Sequence, residues 1–326
     1  MGVSSLTFKE FEGLTYTFGV ELETVSGRFE DNEVRHLNVK AVHDGSLRES
    51  DGSSPVGGEY VTGVLTGDAG ISQLHEICRV LQTKCTVDKR TGVHVHIGNL
   101  NWTKEEVVYS YILAELIEDE LFSTLPKSRR SNIYCRPINK IVAGLAKELS
   151  LVKGVQEYNI KIDEIYDRIF KIVSGLSSSE KASKNINKKQ NHPKGSKCGY
   201  DKDSQRYCWL NYVTLLFNTK GIDNSWTLEF RPMSGTLNFT KIKNWLKICV
   251  AFCSFVENNK SLIKNGYNVP VTLDAIINSV YKKTGTKLIN YINERKQLFM
   301  SADESVDYTV DSKISKKSMK EVVCAS

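Results

Sequence analysis

No apolar run in this 326-residue chain approaches the roughly 20 residues that span a bilayer, so no membrane-crossing helix is expected. The opening segment, MGVSSLTFKEFEG, has no apolar stretch of the kind that directs secretion. It also carries Leu6 where an N-myristoylation signal calls for Ser or Thr. The expectation is a soluble protein of the cytoplasm, with no membrane partner. Proline is scarce, at six residues, and 25% of the chain is charged. Together these exclude collagen-like and wholly disordered classes. No fixed-period repeat is found, which excludes solenoids and propellers. Cysteine is present, eight times, but without the density of a disulfide scaffold. A chain this long buries enough surface to fold without cross-links, so the thiols read as reduced.

The apolar share is 40% and there are 22 glycines, an ordinary globular composition. The net charge is +6, and it is local. Residues 181–202 hold seven lysines against one acid, Asp201, which alone matches the charge of the whole chain. Rich in Lys, Asn, Ser and Gly, this stretch reads as a mobile, solvated loop. Its functional reading is a tether for an anion: nucleotide phosphates, an acidic substrate or nucleic acid. The expected organisation is one catalytic domain over 1–326. Within it lie a helical region at 100–180, the Lys-rich loop at 181–203 and a loose tail at 301–326.

Three segments alternate as strands do. In Thr15–Val25, Tyr16, Phe18, Val20 and Leu22 share one face and Glu21 and Glu23 the other. Val93–Gly98 sets Val93, Val95 and Ile97 against His94 and His96. Trp226–Arg231 sets Trp226, Leu228 and Phe230 against Glu229 and Arg231. A short strand is expected from Glu59, and residues 206–217 read as one further buried strand. Helices are expected over Gly70–Thr83, from Thr103 to about Leu125, twice within 136–175, over Thr240–Val256 and over 269–299. Thr103 and Glu106 form a capping box.

Residues i and i+2 of a strand share a face. Glu21 and Glu23 therefore project together, as do His94 and His96, and Glu229 and Arg231. Neighbouring carboxylates repel unless a cation sits between them. Carboxylate oxygens are the ligands Mg²⁺ and Mn²⁺ favour, and an imidazole is tolerated. An Arg beside them is shaped to clamp phosphate. The conjunction points to phosphoryl transfer.

With these residues in view, the chain resembles the amidoligase family, a branch of the glutamine-synthetase-like carboxylate–amine ligases. The motifs are Gly19-Val20-Glu21-Leu22-Glu23, Asp44-Gly45-Ser46 and Gly58-Glu59-Tyr60-Val61. They continue with Thr91 to Gly98 around His94-Val95-His96, Arg206-Tyr207 followed by Leu210-Asn211, and Thr227-Leu228-Glu229-Phe230-Arg231 before Gly235-Thr236-Leu237-Asn238. The resemblance implies an α+β fold in which an antiparallel sheet forms an open funnel or half-barrel packed with helices. It implies an ATP-dependent amide-bond-forming ligase with Mg²⁺ or Mn²⁺, acting on small-molecule or peptide amines and carboxylates. By the same resemblance, Glu21, His94 and Glu229 hold one metal and Glu23 and Glu59 a second. Arg231 neutralises the phosphoryl group, His96 lies near ATP, and Arg206 contacts phosphate. Asp44 and Asn211 contact substrate. Glu21, Glu23, Glu229 and Arg231 form the catalytic set.

Two other classes remain open at this stage. Two His and a Glu can hold Zn²⁺ and activate water in a hydrolase. A retired fold can bind nucleic acid or an acidic partner through 181–202, which predicts steep salt dependence.

Overall fold

The computed structural model describes residues 15–42, 57–138, 144–174, 190–191, 205–218, 226–266 and 268–301. Asp44, most of the Lys-rich segment and the tail beyond Ser301 lie outside the described residues. The strands are β1 (Thr17–Glu23), β2 (Val39–Val42), β3 (Glu59–Thr62), β4 (Leu65–Thr66), β5 (Gly92–Gly98), β6 (Gln190–Asn191), β7 (Leu210–Asn211), β8 (Phe217–Asn218) and β9 (Thr227–Ser234). The helices are α1 (Asp31–Val34), α2 (Gly67–Leu81), α3 (Lys104–Ser123), α4 (Lys127–Arg130), α5 (Leu145–Ser150), α6 (Val155–Ser174), α7 (Val213–Leu216), α8 (Phe239–Asn258), α9 (Lys260–Asn265), α10 (Leu273–Tyr281) and α11 (Thr286–Ser301).

Alternation makes β1 a strand with one apolar and one polar side. Phe18, Val20 and Leu22 are buried, whereas Thr17, Gly19, Glu21 and Glu23 are only half covered. Val93, Val95 and Ile97 of β5, and Leu228 and Phe230 of β9, continue the apolar side. Seven strands pair in the order β2-β3-β1-β5-β9-β7, with β4 alongside β1. Every pairing in this sheet is antiparallel. It is an open sheet with two edges, not a closed barrel. β6 and β8 form a separate parallel pair. α8 packs on β5, with α2 beside it and against β4. α3 packs on α6, α8 and α9, and α10 on α8. Trp209, Phe230 and Phe252 stack edge-on or tilted where sheet and helices meet.

The predicted helices are present. α3 starts at the capping box, where the Glu106 carboxylate accepts from the Thr103 amide at 2.8 Å. The Asn238 side chain accepts from Lys241 N at 3.1 Å and starts α8. α8 is buried almost all round, a wider contact than the single predicted face. The 136–175 region holds α5 and α6, as the periodicity predicts. Segment 206–217 is not one strand. It is a 3₁₀ turn at Gln205–Tyr207, then β7, α7 and the start of β8. Asn211 is the reason. Its side-chain oxygen accepts from Val213 N at 2.9 Å, folding the chain out of the ladder after two residues.

The described cysteines, Cys78, Cys85, Cys135, Cys208, Cys249 and Cys253, are buried and unpaired with one another, as reduced thiols. Burial pushes the Cys78 and Cys208 thiols up to about 12. Among the described residues no helix is long and apolar enough to cross a membrane.

Candidate functional site

Strand register brings the polar residues together. In an antiparallel pair, residues directly opposite each other point to the same side. Glu21 lies opposite His94, Glu23 opposite Glu59, and Gly19 opposite His96. His96 in turn faces Glu229, which faces Asn211. One side of β3, β1, β5, β9 and β7 therefore carries Glu59, Glu23, Glu21, His94, His96, Glu229 and Asn211. The other side is the core.

The contacts are close. Glu21 Oε2 is 2.9 Å from His94 Nδ1, and Glu21 Oε1 is 3.1 Å from His96 Nε2. His94 Nε2 lies 3.6 Å from Glu23 Oε1, and His94 Nδ1 lies 3.7 Å from Glu229 Oε1. Asn211 Nδ2 donates to Glu229 Oε2 at 2.6 Å. His96 Nδ1 is 3.1 Å from the Thr227 hydroxyl. Gly92 N donates to Glu23 Oε2 at 2.6 Å. Two triads have one donor atom per residue, all within 4.8 Å: Glu21, His96 and Glu229, and Glu21, Glu59 and His94.

Burial opposes the ionisation of Glu21, Glu229 and His96, and neighbouring charge outweighs it. Burial raises the Glu21 carboxyl, but His96 and His94 hold it well below its ordinary value. Burial also raises Glu229, and Arg231 and His96 pull it down further. For His96, burial favours the neutral ring, yet Glu229 and Glu21 leave its value raised. Glu21 and Glu229 are thus held ionised out of bulk water, the condition under which a cation binds well.

Arg231 shares the side of Glu229 by alternation and sits at a β-bulge. Val95 pairs with Phe230 but Val93 pairs with Met233. His94 therefore opposes two residues, Arg231 and Pro232. Proline has no amide hydrogen to offer the ladder and is tolerated at a bulge. The extra residue shifts the alternation, so Arg231 keeps the polar side while Met233 returns to the core. Arg231 Nη1 pairs with Glu229 Oε1. Its Nε donates to Tyr134 O at 3.1 Å, and the guanidinium lies 5.8 Å from the Tyr207 ring centre.

Of the predicted site residues, Glu21, Glu23, Glu59, His94, His96, Glu229, Arg231 and Asn211 converge. Arg206 lies in the 3₁₀ turn leading to β7, next to Tyr207. The resemblance grouped His94 with Glu21 and Glu229. His94 Nδ1 does lie near Glu21 and Glu229, and the two triads add His96 with Glu21 and Glu229, and Glu59 with Glu21 and His94. The sequence reading missed Gly92, Thr227 and Arg129. Arg129 is 3% exposed and binds the backbone of the bulge. Nothing in the Lys127-Ser128-Arg129-Arg130 run marks one cation as buried; Gly92 and Thr227 stand inside quoted motifs but carry no chemistry that flags them.

All donors here are carboxylate oxygens and imidazole nitrogens, with no thiol among them. That set fits Mg²⁺ or Mn²⁺. Residues 14–253 match the model of a family described as "Putative amidoligase enzyme". No curated protein matches the chain. The matched span contains the whole seven-stranded sheet and every residue of the cluster. The chain belongs to the amidoligase family.

Proposed function

We propose that this chain is an ATP-dependent carboxylate–amine ligase that joins a small-molecule or peptide acid to an amine through an acyl phosphate. The supporting observation is the convergence of Glu21, Glu59, Glu229, His94, His96 and Arg231 on one side of one open sheet. Glu21, His96 and Glu229 would hold one divalent cation, and Glu21, Glu59 and His94 a second, with Glu23 beside His94. Bound there, Mg²⁺ or Mn²⁺ would screen the negative charge of the ATP phosphates. Nucleotide and the two substrates would approach this side from opposite ends, as in a funnel.

In the first step an oxygen of the substrate carboxylate attacks the γ-phosphorus, and ADP leaves. In the second the amine nitrogen attacks the acyl carbon, the bond to the phosphate oxygen breaks, and the amine loses a proton. The residues of this chain align reactants and balance charge. Arg231, fixed by Glu229 and Tyr134, neutralises the phosphoryl oxygens. Asn211 and Thr227 orient Glu229 and His96. Arg206 is the further candidate for phosphate and Asp44 for the amine. ATP and reduced thiols suit the cytoplasm.

Calorimetric titration of a non-hydrolysable ATP analogue, with Mg²⁺, with Mn²⁺ and with neither, tests this. Metal-dependent binding that weakens at least about tenfold in Glu229→Gln is expected. No nucleotide binding under any condition removes ATP from the reading. Stoichiometric zinc in protein purified without added metal would favour a hydrolase instead.

A further inference from the structure

Arg129 has no part in the chemistry above, yet its guanidinium is buried against the backbone that carries Arg231. Nη2 donates to Arg231 O at 2.7 Å and Nε to Pro232 O at 3.2 Å. These are the carbonyls of the bulge, where the regular ladder offers no partner. A buried carbonyl without a donor is costly, so the bulge needs a group that reaches both. A planar guanidinium does so in one rigid piece.

The strand opposite makes room for it. A Cβ on Gly92 would lie 3.1 Å from Arg129 Nη2, 3.2 Å from His94 Nε2 and 3.4 Å from Glu23 Oε2. Glycine at 92 therefore lets the Arg129 guanidinium, an imidazole and a carboxylate approach one point of the backbone. The segment from α4 to Ile138 closes round the same residue. Tyr134 O receives Arg231 Nε. Arg136 pairs through its backbone with Tyr207 O and Trp209 N, and Trp209 O receives Arg231 N. Glu118 anchors the far end, accepting from Ile138 N at 2.5 Å and Trp209 Nε1 at 2.8 Å. Cys135 Sγ lies 3.3 Å from Arg129 O, and burial holds that thiol neutral.

We propose that Arg129 is a positioning residue: it locks the β9 bulge and thereby sets the aim of the Arg231 guanidinium. The lock itself stands on geometry; its effect on nucleotide rests on the ligase reading.

Two readouts separate these. The first is NMR of protein with ¹⁵N-labelled arginine, with Arg231→Lys used to assign the Arg231 Nε–H signal. In Arg129→Met and in Arg129→Lys that signal is expected to shift and to lose at least about tenfold of its protection from solvent exchange, since a bulge without its donor opens locally. Lys keeps the charge but lacks the fork, so equal loss in both assigns the effect to geometry. An unchanged Arg231 signal in both variants overturns the proposal. Should neither variant fold, the unmutated protein decides. The Nε–H groups of Arg129 and Arg231 must then exchange together, within about threefold, and independent exchange overturns the lock.

The second readout is calorimetry with the ATP analogue and Mn²⁺. Arg129→Met and Arg231→Met should each weaken binding about tenfold, with the double variant no weaker than either. Mn²⁺ alone should bind Arg129→Met within twofold of the unmutated protein. Additive losses overturn the proposal. If the unmutated protein binds no nucleotide, the ligase reading falls while the NMR result still decides the role of Arg129.

Discussion

The two triads share Glu21 but differ in the burial of their second carboxylate. Glu229, on β9, is 3% exposed and gripped by Arg231 and Asn211. Its partner His96 is steadied by Thr227. Glu59, on β3, is half-buried, although β3 and β9 each lie one strand in from an edge. In one triad the second carboxylate is thus buried and oriented by an arginine and a carboxamide, and in the other it lies nearer solvent. A preorganised ligand set loses less entropy on binding, so the two should differ in affinity although their donors are alike.

Removing the shared ligand should have the largest effect. Glu21→Gln is expected to weaken Mn²⁺ binding by more than about a hundredfold at both centres, read by calorimetry or by the free Mn²⁺ resonance signal. Loss at only one centre would mean that Glu21 does not bridge them. Glu59→Gln is the sharper cut: it should remove the weaker Mn²⁺ event and leave the tighter one within about threefold. Equal weakening of both events would erase the distinction between the buried and the half-buried carboxylate.

The smallest effect is on pH. The folded value of His96 is raised above the ordinary 6.5. Its protonation therefore stabilises the metal-free fold fully below 6.5, and that contribution fades as pH rises through the folded value. The melting temperature of metal-free protein should decline over that window. Mn²⁺ competes with the proton for the same imidazole, so its affinity should rise with pH and offset the decline. A metal-free melting curve that is flat or climbs there would show that His96 carries no such proton.

The chemistry of this site was legible because strands expose every second residue. Glu21 and Glu23, His94 and His96, and Glu229 and Arg231 could be read off the chain as pairs on one face. Which pair meets which was not legible, because it depends on strand order and register. His96 joins Glu229 because β5 lies between β1 and β9 in one particular register. The helices α3 and α8 announced themselves by capping and periodicity. β2 and β4 are too short to alternate visibly. The 206–217 segment misled because its apolar run resembles a strand, while a single carboxamide, that of Asn211, ends it. Arg129 was hidden for a different reason: its partners are main-chain carbonyls, which leave no mark in the sequence near it.

β5 and β9 are neighbours in the sheet, yet Gly98 ends one and Thr227, paired with it, begins the other. All of the chain from α3 to β8 is threaded between them. In kinetic terms, pairing so distant in sequence demands closure of a long loop before it is rewarded, which slows folding. In evolutionary terms the same separation is permissive. Closure entropy rises only logarithmically, about 0.6 kcal/mol for each doubling of loop length. The intervening chain can lengthen, shorten or change its charge at small cost, while the strands at its two ends keep the same register and the same chemistry.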